Sequence, residues 1–171
     1  MTERDFQNRP MPDTLLTKIL ELLTEHGITF QERQHPPTFT SAESAAARGE
    51  DLDVGAKALL LKTDDTFRLF VLPANCKLDS AAIKRELKVK KTRFATAEEL
   101  LELTGLVPGS VPPFGRPLLP FDLYADEAIG VVSNRVAFNA GSLTHSIIMS
   151  AADWQAVAQP QRFVFGKSES P

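Results

Sequence analysis

At 171 residues, with 43% hydrophobic and 24% charged side chains, the chain has the length and balance of one ordinary folded domain, long enough to bury roughly two thirds of its unfolded surface. That balance excludes a disordered polymer, and no apolar run approaches the roughly 20 residues of a bilayer-spanning helix. A net charge of -3 argues against a uniformly basic nucleic-acid binder but leaves room for a local basic surface.

Residues 1–14 read as an N-terminal extension. The first ten are polar and mixed in charge, without the apolar stretch of a secretory signal, so a cytoplasmic protein is expected. Leu15, Leu16, Ile19, Leu20, Leu22 and Leu23 have the spacing of one helical face, stopped by Gly27. Ile28 to Gln34 alternates as a strand, and His35-Pro36-Pro37 ends it. An alanine-rich helix follows from Ser41, capped by Thr40 or Ser41. Ala56 to Lys62 and Thr66 to Leu72 form an expected hairpin around Thr63-Asp64-Asp65. Asp79 caps a helix through Leu87, Thr92 to Ala95 is a short strand, and Thr96-Ala97-Glu98-Glu99 is a capping-box start to a helix ending at Gly105.

Five prolines and two glycines between Leu106 and Pro120 predict a stiff, irregular loop. Phe121 to Tyr124, Gly130 to Val132, Arg135 to Ala140 and Ser146 to Met149 are expected strands, and Ala151 to Ala158 a last helix capped by Ser150. Residues 161–171 are expected to be a C-terminal tail, leaving residues 15–160 as the domain.

The chain contains no G-x-S-x-G elbow, phosphate-binding G-x-x-x-x-G-K-[ST] loop, H-E-x-x-H or C-x-x-C. His26, His35 and His145 include no i, i+4 pair, so no metal site is expected, and no cofactor. Cys76 stands alone without a metal-ligand neighbour. One stretch is sharply basic: Lys84, Arg85, Lys88, Lys90, Lys91 and Arg93 against the single acid Glu86. It is either a phosphate-facing surface or a solvated helix end and strand.

Six ordered segments carry a resemblance. They are His35-Pro-Pro-Thr-Phe-Thr40 with Glu43 and Ala45, Gly55-Ala-Lys-Ala-Leu-Leu-Leu-Lys62, Glu99 to Gly105, Gly109-Ser-Val-Pro-Pro-Phe-Gly115, Phe138-Asn-Ala-Gly-Ser142, and Ser146-Ile147-Ile148. Together they resemble the YbaK/prolyl-tRNA editing superfamily of aminoacyl-tRNA deacylases over about residues 15–160, and most resemble its YeaK-like branch, associated with seryl and threonyl esters. The resemblance implies a single α/β domain with a curved, mixed, mostly antiparallel sheet surrounded by helices. The order of elements alone also fits other α/β layouts.

The resemblance implies that Lys57 engages the terminal adenosine or its phosphate, and that Gly109 and Pro113 shape a loop whose backbone orients a water and the ester. Such a mechanism needs no nucleophilic side chain, since an aminoacyl ester is already activated and proximity supplies much of the acceleration. Phe114, Gly115, Asn139, Gly141, Ser142, His35 and His145 are the further substrate-binding candidates, and each also has a purely structural reading. Lys84, Arg85, Lys88, Lys90, Lys91 and Arg93 are expected to hold the acceptor stem of the tRNA. Relatives that remove alanine carry histidine near the position of Asn139, so alanine specificity is not expected here.

The expected function is trans-editing hydrolysis of mischarged Ser- or Thr-tRNA, with aminoacyl-tRNA as partner, a synthetase as a second one, and neither DNA nor membrane. Two alternatives remain open: a noncatalytic module that binds charged tRNA or a synthetase, and a small-ester hydrolase that ignores RNA.

Overall fold

The computed structural model describes residues 12–168, with the backbone alone for residues 12–14. Most of the expected N-terminal extension therefore lies outside the described residues. Helix α1 (Pro12–Glu25) turns Leu15, Ile19 and Leu23 into the core, the i, i+4 face that the leucine spacing predicts. Strand β1 (Phe30–Gln34) ends at the prolines, and α2 (Ser41–Arg48) is capped by Thr40, which exchanges bonds with Glu43 in a capping box. A 3-10 turn (Leu52–Val54) leads into the hairpin of β2 (Ala56–Thr63) and β3 (Thr66–Pro73). Then come β4 (Cys76–Leu78), α3 (Ser80–Leu87), β5 (Thr92–Phe94) and α4 (Ala97–Thr104). After the proline-rich loop follow β6 (Leu123–Asp126), β7 (Arg135–Asn139), β8 (His145–Ser150), α5 (Ala151–Ala158), β9 (Gln161–Phe163) and β10 (Gly166–Ser168).

The larger sheet has the order β5-β2-β3-β6-β9, antiparallel except for the β3/β6 and β6/β9 pairs. A second, antiparallel sheet has the order β1-β8-β7, and β4 pairs with β10. The expected mixed and mostly antiparallel α/β domain is thus present. It divides into three hydrogen-bonded sheets, and a parallel bridge between Gly55 and Ala137 links the two larger ones.

Strand β3 reads as a continuous apolar run because both of its faces are covered. Leu69 and Val71 enter the main core with α1, β7, β8 and the proline-rich loop, whereas Phe70 and Leu72 enter a second cluster with Ile83 of α3, Tyr124, Phe163 and Phe165. Tyr124 stacks on Phe70 at 5.2 Å, so it is a packing residue.

Three expectations are corrected. The strand expected at Phe121 starts at Leu123 and runs to Asp126, because Phe121 is a buried loop residue bonded to Leu119. Gly130 to Val132 is a turn, closed by bonds from Val131 and Val132 to the carbonyl of Ala128. The expected tail is ordered through residue 168, with β9 and β10 joined to the sheets. Its anchor is Asp126, 3% exposed, whose carboxylate accepts from Phe165 N (2.8 Å), Gly166 N (2.7 Å) and Ala128 N (2.9 Å).

Candidate active site

Where the β2 and β7 sheets meet at the Gly55–Ala137 bridge, a cavity of about 190 Å³ opens. Its wall includes Lys57 from the start of β2, Gly109 from the proline-rich loop, Asn139 from the end of β7, and Thr38, Ser44 and Arg48 from α2 and its approach. Three of these residues are candidates taken from widely separated stretches of sequence. The half-buried Lys57 reaches the carbonyl of Ala74 through Nζ at 3.3 Å.

Gly109 has φ +89°, a conformation that side chains rarely adopt, and a Cβ there would lie 3.3 Å from Leu143. Its carbonyl accepts from Asn139 Nδ2 at 2.7 Å, so the side chain of β7 aims the backbone of the loop. Asn139 is itself held. Its Oδ1 accepts from Ser146 Oγ at 3.0 Å and from Arg48 Nη2 at 3.0 Å, and Arg48 Nε donates to Ser146 Oγ at 2.9 Å. His35 Nε2 stands 2.8 Å from the same hydroxyl. A polar network therefore runs from the His35 turn through the β7/β8 pair to the Gly109 carbonyl. Burial lowers the Arg48 guanidinium to about 10, still charged at neutral pH.

The other candidates do not line this cavity. Phe114 is 2% exposed and stacks edge-on against Phe138, and the Pro113 carbonyl accepts from Trp154 Nε1 at 2.9 Å, so both stiffen the loop from the core side. Gly115 serves a close backbone approach, because a Cβ there would lie 2.6 Å from the Phe121 carbonyl. Gly141 lies against Leu15 of α1, and Ser142 bonds Thr144 within its turn. His145 pairs with Glu32 across β1 and β8 at 2.9 Å.

The basic residues are exposed. Lys84, Lys90, Lys91 and Arg93 line a separate open hollow of about 440 Å³ with Lys62 and Asp64, whereas Arg85 and Lys88 lie outside it. Arg93 is engaged by both Glu99 oxygens at 2.7 and 3.0 Å, and that hydrogen-bonded guanidinium lowers the Glu99 carboxyl to about 2.

Sequence reasoning missed Arg48. The signal was present: a long basic side chain at i+4 from Ser44 in a helix otherwise built mainly of alanine and serine. It looked like an ordinary C-terminal cation. Among the described residues no cluster of His, Cys, Asp and Glu could hold a metal, and no helix is long and apolar enough to cross a membrane.

The family model of the aminoacyl-tRNA editing domain matches residues 35–157, most of the chain and all of the cavity wall, and the chain belongs to that family. The protein is accordingly an aminoacyl-tRNA deacylase, a hydrolase of ester bonds, with the fold of that family. Among individual relatives, the multifunctional Ser/Thr-tRNA deacylase ProXp-y of Escherichia coli (strain K12) is 31% identical over 156 residues, covering 88% of this chain and 92% of that protein. The proline--tRNA ligase of Shouchella clausii (strain KSM-K16) is 38% identical over 104 residues, covering 61% of this chain but 18% of the ligase. A solved structure of a candidate trans-editing enzyme for prolyl tRNA synthetase superposes with a TM-score of 0.76 at 25% identity, covering 90% and 97% of the two chains.

Proposed function

We propose that this protein is a cytoplasmic trans-editing deacylase that hydrolyses Ser- or Thr-charged tRNA at the acceptor end. The observation that supports it most directly is the convergence of Lys57, Gly109 and Asn139 on one cavity, whose wall also carries the hydroxyl residues Thr38, Thr40, Ser41 and Ser44. The likeness to a Ser/Thr-tRNA deacylase over most of both chains supports the substrate class.

In this reading Lys57 holds the terminal nucleotide or its phosphate, and the Gly109 carbonyl, aimed by Asn139, orients a water at the ester. Water adds to the ester carbonyl, and the tetrahedral intermediate collapses with loss of the ribose oxygen. Free amino acid and the terminal hydroxyl of the tRNA are released. Among the described residues no histidine, cysteine or carboxylate lines the cavity, which suits a positioned water rather than a side-chain nucleophile. Lys84, Lys90 and Lys91 contact the acceptor stem, and a synthetase is the natural second partner.

The test is release of amino acid from Ser-, Thr-, Ala- and Cys-charged tRNA by wild type and Lys57→Ala. Release of serine or threonine, lost in the variant, is expected. Binding of charged tRNA without any release would replace the enzyme with a noncatalytic binding module.

A further inference from the structure

The cavity contains a charge that nothing among the described residues neutralises. Arg48 is 8% exposed, and no carboxylate lies within ion-pair distance of it among those residues, where the ion pairs involve other groups. Its two hydrogen bonds go to neutral acceptors, Ser146 Oγ through Nε and Asn139 Oδ1 through Nη2. Those bonds occupy one edge of the guanidinium and pin its plane. The opposite edge, both protons of Nη1 and the second of Nη2, has no acceptor among the described residues, and a planar fork of this kind matches two oxygens of one anion.

The free edge lies at the cavity wall. Nη1 is 3.7 Å from the position a Cβ would take on Gly55, and Ala74, whose carbonyl receives Lys57 Nζ, has its Cβ 3.0 Å from the same point. A larger residue at Gly55 would crowd Ala74 and the Leu52 carbonyl beside Nη1. No aspartate or glutamate among the described residues lines the cavity, and Glu43, which accepts from the amides of Phe39 and Thr40 in its wall, makes no ion pair with Arg48 or Lys57, so the fields of the two cations add there. A buried, unpaired cation is costly to a fold, and an anionic ligand at the cavity would offset that cost.

We propose that Arg48 and Lys57 form an anion subsite, in which the free edge of Arg48 grips an oxygen anion of the substrate. Within the proposed deacylation, on which this inference rests, the anion is either the phosphate of the terminal nucleotide or the tetrahedral oxyanion that develops as water adds to the ester. Both are oxygen anions, which the cations of Arg48 and Lys57 in one cavity wall can hold.

The experiment compares wild type, Arg48→Gln and Arg48→Lys in steady-state release of amino acid, and in thermal unfolding with and without inorganic phosphate. If the subsite holds the substrate phosphate, Arg48→Gln raises KM at least about tenfold with kcat within about twofold, and the stabilisation of wild type by phosphate disappears. If it holds the oxyanion, kcat falls about 10²-fold with KM nearly unchanged, the loss typical of a donor aimed at developing charge. Arg48→Lys recovers part of either loss because it keeps the charge.

A folded Arg48→Gln with both constants within about twofold of wild type overturns the proposal, as does a lysine variant no better than glutamine. Should Arg48→Gln fail to fold, the Arg48 side-chain NMR signal of wild type, assigned by its absence from Arg48→Lys, must move on phosphate titration, and a signal that stays fixed overturns the proposal. Wild type that binds phosphate through Arg48 yet releases no amino acid refutes the deacylase reading and leaves the anion subsite standing.

Discussion

Asn139 connects the framework to the Gly109 loop, because one amide accepts from Arg48 and Ser146 and donates to the Gly109 carbonyl. Asn139→Ala would leave the Gly109 carbonyl without its donor and the buried Arg48 and Ser146 donors without their Oδ1 acceptor. The expected result is a loss of about 1–3 kcal/mol in urea unfolding for the unpaired groups, with a fall of about 10²-fold in kcat/KM as the loop carbonyl loses its aim. Asn139→Asp keeps an acceptor for Arg48 but repels the Gly109 carbonyl, so it should be the more stable of the two and equally inactive. The candidates Phe114 and Ser142 illustrate why residue type alone misassigns a role. A phenylalanine in a proline-rich loop has the same letter whether it faces a ligand or the core, and here burial against Phe138 decides for the core.

Two elements depend on single acids. Glu99 caps α4 and holds Arg93 of β5 with both oxygens. Its carboxyl is lowered to about 2 from the ordinary value of 4.5, chiefly by that guanidinium and the Thr96 amide. The folded value lies below the unfolded one, so the stabilisation is present in full above about pH 4.5 and is lost as pH falls through 2. The Tm difference between wild type and Glu99→Gln should therefore be constant from about pH 7 to about 5, shrink below that, and vanish near pH 2. Asp126 fastens the chain after β9 to the larger sheet through the amides of Phe165 and Gly166. Asp126→Ala should cost about 1–3 kcal/mol for the donors left unpaired and remove hydrogen-exchange protection from those two amides before it affects β2 or β3. The segment looks like a tail in the sequence because two strands of three residues are too short for an alternating pattern to register.

Over the whole molecule the net charge is -3, yet Lys84, Lys90 and Lys91 share one face with Lys62. Charge distribution, rather than its sum, governs contact with a polyanion. Reversing Lys84, Lys90 and Lys91 together should weaken tRNA binding and reduce the slope of log affinity against log salt by roughly 2–3, at about 0.7–0.9 for each phosphate no longer neutralised. Hydrolysis of a small seryl ester should be unaffected. An equal loss on both substrates would point to damage at the cavity instead. Arg93 is left out of that set because Glu99 already occupies its guanidinium.

Local chemistry determined much of this protein before any folding was considered. Helix faces follow from leucine spacing, helix starts from Thr40, Asp79, Thr96 and Ser150, the hairpin from two apolar runs, and the stiff loop from its prolines, all of them short-range properties of neighbouring residues. Ordered motifs carried Lys57, Gly109 and Asn139 as candidate site residues. Tertiary structure alone decided that these three share a cavity, that Pro113, Phe114 and Gly115 support its loop from the core, and that Arg48 is buried without a counter-ion among the described residues. Those facts depend on where the sheets meet at Gly55 and Ala137, residues far apart in sequence, and no local pattern encodes the distance between such residues or the charge left unpaired when they meet.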